Sequence, residues 1–279
     1  MFEINTAVVE HDIARALDED VGSGDLTAQL IPAHHTTRAR VICREDMIVA
    51  GRPWFDACFR ALDLACTLDW KVEEGAMVKS GSVLVEISGH ARALLTAERP
   101  ALNFLQTLSA VATATRPYVE AVSGTRAAIF DTRKTLPGLR IAEKYAVRVG
   151  GGQNQRVGLY DGILIKENHI TAAGGIAPVM DAALKLAAGQ VSVQIEVETL
   201  EQLRQALAAD ATLILLDNFS LDAMREAVKL TAGRAQLEAS GNITLDSVRA
   251  VAETGVDRIS IGGLTKHIRA IDLSMRFDD

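Results

Sequence analysis

Cysteine is scarce in this chain, and what there is suits neither a disulfide framework nor a metal cage. Cys43, Cys58 and Cys66 are an odd number without the paired spacing of a zinc site. They read as buried free thiols of a reducing compartment, which makes the cytoplasm the expected location. Long apolar runs are missing too: none approaches the roughly 20 residues that cross a bilayer, so no membrane partner is expected. The opening stretch MFEINTAVVEHDIARALDED is amphipathic and acidic, unlike an export signal. Positive charge is in deficit. With 29 basic and 36 acidic residues the net charge is −7, which argues against a nucleic-acid partner held by basic surface. There is no Gly-x-Ser-x-Gly and no Cys–His pair, which argues against covalent acyl transfer. No Gly-x-Gly-x-x-Gly follows the first strand of the α/β region, which weighs against a doubly wound dinucleotide fold.

What remains is a chain of 279 residues, 48% hydrophobic and 23% charged, long enough for one large domain or two modest ones. The first hundred residues mix elements. A helix is expected over 7–19, strands in TTRARVICREDMIVAG, a short helix over 53–64, and glycine-joined strands in TLDWKVEEGAMVKSGSVLVEISG. Residues 94–122 read as helical, with Pro117 expected to divide them into two helices. After about residue 126 the pattern changes. The apolar runs AAIF, GILI, VSVQIEV, TLILL, AQLEA and RISI alternate with helices near 138–149, 174–188, 199–208, 220–231 and 245–254. Such β-α alternation implies parallel strands with right-handed crossovers. Six units of it imply a closed or nearly closed α/β barrel.

Each of those runs ends in polar or glycine residues. AAIF leads into Asp131, Thr132, Arg133 and Lys134; GILI into Lys166; VSVQI into Glu196; LILL into Asp217; AQLEA into Ser240, Gly241 and Asn242; RISI into Gly262 and Gly263. In a barrel of parallel strands these ends meet on one face, where the active site lies. Arg133, Lys134, Arg156 and Lys166 are cations suited to carboxylates and phosphates. Glu196 and Asp217 are ion-pair partners for them or ligands for Mg²⁺, which takes one or two carboxylates and fills its shell with substrate phosphates. Glu198 precedes a helix directly and reads as a first-turn acid, so Glu196 is preferred. Ser240-Gly241-Asn242 and Gly262-Gly263 offer backbone N–H groups that approach a phosphate closely. Lys144 and Arg148 lie on a helix and read as solvated charges. The pocket thus expected holds a substrate with carboxylates, a phosphate-bearing partner and Mg²⁺. Displacement at a phosphorylated sugar fits it better than Schiff-base chemistry on Lys134 or Lys166.

The segments TAERPALNFLQTLSAVAT, DTRKTLPGLRIAEKYAVRVGGGQNQRVGLYDGILIKENHI, IEVE, LLDNF, EASGNI and SIGGLTKH together resemble the quinolinate phosphoribosyltransferase family. The resemblance runs from the N-terminal helix to LSMRF. It implies an N-terminal α/β sandwich domain over 1–115 and an open α/β barrel over 116–279, with the final segment packing back on the N-terminal domain. It implies transfer of a phosphoribosyl group from phosphoribosyl pyrophosphate to quinolinate with loss of CO₂, a step of NAD biosynthesis. A homodimer is implied, with Arg99 reaching the neighbouring subunit's site. Arg133, Arg156 and Lys166 would bind the two quinolinate carboxylates, Lys134 would lie near substrate or pyrophosphate, and Thr132 would add backbone or hydroxyl contacts. Glu196 and Asp217 would face the ribose hydroxyls and Mg²⁺, and Ser240-Gly241-Asn242 with Gly262-Gly263 would hold the sugar phosphate. One position departs from the family pattern. Gln155 stands where many members carry histidine; it hydrogen-bonds but does not titrate near neutrality. Two rival readings are a family paralogue acting on another acid and a non-catalytic barrel that binds a phosphate ligand.

Overall fold

The computed structural model describes residues 4–277. In chain order its helices and strands are α1 (Thr6–Val21), β1 (Thr36–Cys43), β2 (Met47–Ile48), α2 (Arg52–Leu62), β3 (Thr67–Trp70), β4 (Met77–Val78), β5 (Val83–His90) and α3 (Ala91–Ala121). Then come β6 (Ala128–Phe130), α4 (Arg140–Val149), β7 (Gly162–Ile165), α5 (Glu167–Ala173), α6 (Ile176–Ala187), β8 (Ser192–Val197) and α7 (Leu200–Ala208). The remainder are β9 (Leu213–Asp217), α8 (Leu221–Thr231), β10 (Gln236–Ser240), α9 (Leu245–Ala252), β11 (Arg258–Ser260), α10 (Gly263–Lys266) and β12 (Leu273–Phe277). The chain forms two compact units. One takes in the residues up to Thr115, Leu136–Gly151 and the stretch from Thr265 onward; the other is Arg116–Thr135 with Gly152–Leu264. Residues 136–151 and the C-terminal strand therefore group with the first 115 residues and not with the rest of 116–279.

The first unit carries an antiparallel sheet in the order β12-β1-β5-β3. The last strand of the chain supplies one edge, pairing Met275 with Val41. Helix α1 begins at Asn5, whose side chain accepts from the Ala7 amide at 3.0 Å and so satisfies an orphan N–H of the first turn. The core is built on Trp54, Phe55 and Phe59 of α2 and Leu84 and Ile87 of β5, all essentially inaccessible. Each such side chain contributes about 1.5–3 kcal/mol by leaving water.

Helix α3 runs unbroken through Pro100 and Pro117, where the sequence pattern put a division. An interior proline costs about 3 kcal/mol through its lost N–H and ring clash. Burial of Leu94, Leu102, Leu105, Leu108 and Val111 along one helix offsets that. Polar ties add to it: Ser109 Oγ accepts from the Ala50 amide at 3.0 Å and Thr113 Oγ1 from the Ile48 amide at 2.8 Å. Lys144 differs from its expected solvated role. It is only 3% exposed, because α4 is enclosed nearly all round, with Ala142, Tyr145, Ala146 and Val147 also buried. Burial on that helix also pushes the Glu143 carboxyl up to about 7.

The second unit is a six-stranded parallel sheet in the order β6-β11-β10-β9-β8-β7. Strand β11 returns to pair with β6, which sets the last parallel strand beside the first. A single parallel bridge from Phe130 to Gln153 adds a further short segment beyond β6. Strands β6 and β7, neighbours in the sequence, lie at the two ends of the sheet order, so strand pairing leaves the barrel open. Alternation along the strands sets its two faces. Ile195, Val197, Ile214, Leu216, Leu237 and Ala239 are buried on one face. Gln194, Glu196, Asp217, Glu238 and Ser240 belong to the other. Helix α5, which the apolar pattern did not show, follows β7 directly. Its first turn is set by the Lys166 amide donating to His169 Nδ1 at 3.0 Å.

A carboxylate ties the β3 and β5 ends of the first unit. Asp63 accepts from the His90 amide at 2.9 Å, from His90 Nδ1 at 2.9 Å and from the Ala65 amide at 3.0 Å. The hydrogen bonds from His90 hold its carboxyl below the usual range. A depressed folded pKa gives stability that is present above the unfolded value of about 3.9 and is lost as pH falls through the folded value. Asp63→Asn is expected to cost about 1–3 kcal/mol at pH 7. Thermal melts should show the gap from the parent closing as pH drops below about 4; a gap constant down to pH 2 would refute the assignment.

Candidate active site at the strand ends

Six parallel strands deliver their C-terminal ends to one edge of the second unit, and Arg133, Lys134, Lys166, Glu196 and Asp217 end or directly follow those strands. Lys166 follows β7, and its Nζ meets Glu196 Oε2 of β8 at 2.7 Å. The lysine is half exposed and the glutamate largely covered, so the pair sits at the solvent boundary. Glu196 registers with Leu215, two residues before Asp217 on the next strand. Both carboxylates therefore project from the same sheet face. Asp217 registers in turn with Ser240. Three adjacent strand ends thus present Glu196, Asp217 and Ser240 side by side.

Glycine shapes the edge at two places. Gly241 has φ +106°, and a Cβ there would fall 2.1 Å from Asn218 Oδ1, so no other residue fits without displacing Asn218. Asn218 and Asn242 both take left-handed backbone, at φ 55° and 48°. This turns the chain sharply after β9 and β10 and leaves amides along the edge. At Gly262, immediately before Gly263 and α10, a Cβ would lie 2.9 Å from Lys134 Cδ. The Lys134 stem crosses over that glycine, which brings Lys134 and Thr132 to the Gly262-Gly263 turn. The Thr132 hydroxyl accepts from the Lys134 amide at 3.1 Å and fixes the local turn.

Arg156 lies against the start of β7, where its Nη1 donates to the Gly162 carbonyl at 2.7 Å. A Cβ at Gly162 would come within 3.3 Å of Arg156 Cβ, so the glycine makes room for it. Burial, and then the nearby Arg133 guanidinium, lower the Arg156 pKa from its ordinary value, while Asp161 opposes the shift. Asp161 also ties down the loop, accepting from the Val157 and Gly158 amides, each at 2.7 Å. Arg156 is thus a partly buried cation that also feels the charge of Arg133. That arrangement suits a ligand with two negative charges.

Several residues of this region were not singled out from the sequence. Asp131, with no exposed surface, accepts from the Gln155 amide at 2.8 Å and from Asn154 Nδ2 at 2.6 Å. Glu238 is likewise wholly buried, in the middle of β10. It accepts from Gln155 Nε2 with both oxygens and from Gln194 Nε2 at 3.0 Å, and it pairs with Arg258 at 3.1 Å. The strand parity that exposes Ser240 to the inner face also selects Glu238, a signal the apolar look of AQLEA conceals. A polar cavity of about 480 Å³ reaches in from the opposite strand ends, lined by Gln155, Arg156, Phe130, Ser192, Gln236 and Arg258 among others. Arg99 lies on α3 in the first unit, more than half exposed, with Glu98 at 4.0 Å.

Among the described residues no single helix is long and apolar enough to cross a membrane. The three cysteines are buried and form no disulfide. A family profile described as quinolinate phosphoribosyl transferase, C-terminal domain, matches residues 111–276, and the corresponding N-terminal domain profile matches residues 25–109. The chain is 45% identical over 257 residues to a probable nicotinate-nucleotide pyrophosphorylase (carboxylating) of Bacillus subtilis, covering 92% of this chain and 89% of the relative. It is 42% identical to the enzyme so named from Mycobacterium leprae, over 94% of this chain and 95% of the relative. A solved nicotinate-nucleotide pyrophosphorylase of Francisella tularensis superposes with a TM-score of 0.95 at 44% identity, covering 99% of this chain and 98% of that one. The strand-end cations, the open barrel and these similarities converge, and the chain belongs to the quinolinate phosphoribosyltransferase family.

Proposed function

We propose that the strand-end site performs the family's reaction with the residue roles that its geometry supports. The reaction joins quinolinate to phosphoribosyl pyrophosphate and releases pyrophosphate and CO₂, forming nicotinate mononucleotide in NAD biosynthesis. The observation that carries the roles is the strand-end cluster in which Lys166 meets Glu196 at 2.7 Å beside Asp217 and Ser240, with Arg133 and Lys134 following β6. Two planar guanidinium forks, with Lys166 as a third cation, suit the two adjacent carboxylates of quinolinate. A dianion offsets the burial of the Arg156 guanidinium, which is partly withdrawn from water. Thr132 adds its hydroxyl and backbone, and Gln155 adjoins Arg156.

Ser240, Gly241 and Asn242, with Gly262 and Gly263, are assigned to the sugar phosphate, which their amides approach at the two glycines. Lys134, crossing Gly262, is assigned to the phosphate or pyrophosphate end of the same substrate. Glu196 and Asp217 face the ribose. As pyrophosphate departs, positive charge develops on the sugar, and two carboxylates in a partly dry site stabilise it. The quinolinate nitrogen, held by the carboxylate clamp, attacks that carbon and becomes a pyridinium. The adjacent carboxylate leaves as CO₂, its bonding electrons pass to the ring carbon beside N⁺, and a proton from solvent takes its place.

The donor set fits Mg²⁺. Among the described residues no three His, Cys, Asp or Glu side chains form a metal cage. Two carboxylates on one sheet face are the usual protein share of a Mg²⁺ shell completed by phosphates and water. Glu196 and Asp217 would hold the ion, which when bound neutralises charge on the pyrophosphate. We further assign the working form to a homodimer in which Arg99 completes the partner's site. A reducing compartment such as the cytoplasm suits its unpaired thiols.

Incubation with phosphoribosyl pyrophosphate, Mg²⁺ and quinolinate labelled in its 2-carboxylate is expected to release labelled CO₂ with nicotinate mononucleotide. Chelation should stop it and added Mg²⁺ restore it; full turnover in chelator would remove the metal role. Arg133→Ala is expected to raise KM for quinolinate at least about tenfold, roughly 1.4 kcal/mol. An unchanged KM would remove Arg133 from the clamp.

A further inference from the structure

Glu238 is a wholly buried acid on the inner face of the barrel, and no step above uses it. Its carboxylate, with no accessible surface, is met by Gln155 Nε2 on both oxygens, by Gln194 Nε2 at 3.0 Å and by Arg258 at 3.1 Å. A buried carboxylate persists only where donors replace water, and loss of one partner is costly. Arg258 is itself held in place, its guanidinium 3.9 Å from the Phe130 ring centroid. Gln155 is therefore pinned at both ends: its backbone amide donates to Asp131 at 2.8 Å and its carboxamide nitrogen to Glu238. Next to it stands Arg156, one arm of the carboxylate clamp.

We propose that Glu238 is a positioning residue that sets the orientation of the side chain at 155 beside the clamp, and that glutamine at 155 keeps this pair at constant charge through the neutral pH range. This rests on the assignment of Arg156 to quinolinate. The groups facing position 155 are Asp131 after β6, Glu238 on β10, Arg258 on β11 and Arg156 beside it, with neutral Gln194 on β8. The cations and the more distant acid act in opposite directions, and the direct partner Glu238 decides the balance. An imidazole in place of the carboxamide would hand an N–H to that carboxylate and gain a proton more readily than free histidine. Glutamine makes the same donation without titrating. The cavity bordered by Gln155 gives water access to the position, so a titrating group there would exchange protons freely.

The test is Gln155→His, followed by NMR titration of the new imidazole in the substrate-free protein and by the pH profile of kcat/KM for quinolinate. The imidazole is expected to titrate about one unit or more above the ordinary 6.5, and the profile is expected to gain a limb there that the parent lacks. Adding Glu238→Gln should pull both back by about a unit. An imidazole titrating at or below 6.5, or a limb unmoved by Glu238→Gln, would overturn the proposal. Should the double variant fail to fold, the imidazole titration of Gln155→His alone decides. The NMR arm needs no substrate, so a failure of quinolinate turnover would sink the functional reading and leave this one standing or falling on its own.

Discussion

Burial of the Arg156 guanidinium, with the charge of Arg133 added to it, is the constraint that this part of the barrel has to satisfy. Parallel strands send their C-terminal ends to one edge whatever side chains they carry. Arg133 comes from the end of β6, Arg156 from the segment that bridges to β6, and Lys166 from the end of β7. The topology brings Arg133 and Lys166 to that edge, while Arg156 reaches in beside the start of β7, where burial and then the Arg133 charge lower its pKa. Acids share the region: Glu196 pairs with Lys166, and Asp161 accepts from the 157–158 amides and partly offsets the Arg156 shift.

Beneath the cations, buried carboxylates act as scaffolding. Asp131 holds the backbone at Gln155 and the side chain of Asn154, and Glu238 gathers Gln155, Gln194 and Arg258 from three other segments. Each is fully buried, and each stays there because several donors converge on it. An open barrel lacks the continuous strand pairing that would otherwise fix the 153–156 segment, which has one bridge to Phe130. These two acids supply the missing restraint, so Arg156, which follows directly, stands on hydrogen bonds more than on sheet.

Much of this was readable from the sequence because short strands ending in polar residues have only one arrangement in a parallel barrel. Lys166, Glu196, Asp217 and Ser240 were located by that rule, and all four lie on the expected edge. Gly241 and Gly262 were readable as turn glycines, though the side chains they make room for, Asn218 and Lys134, were not paired with them. What escaped the sequence depends on packing. Helix α3 continues through Pro117 because apolar burial outweighs a local breaker. Lys144 is enclosed although its helix looks amphipathic. Glu238 hides inside a run that reads as apolar, since one acid among Ala, Leu and Ala resembles a half-buried strand until its partners are known. The pairing of β12 with β1 joins residues more than two hundred positions apart, and no local pattern encodes it.

The most direct test is calorimetric titration of the substrate-free protein with quinolinate and, separately, with nicotinate, its analogue lacking the 2-carboxylate. The proposed carboxylate clamp of Arg133, Arg156 and Lys166 predicts that quinolinate binds at least about tenfold more tightly, a difference of roughly 1.4 kcal/mol or more. Nicotinate binding as tightly as quinolinate would contradict it.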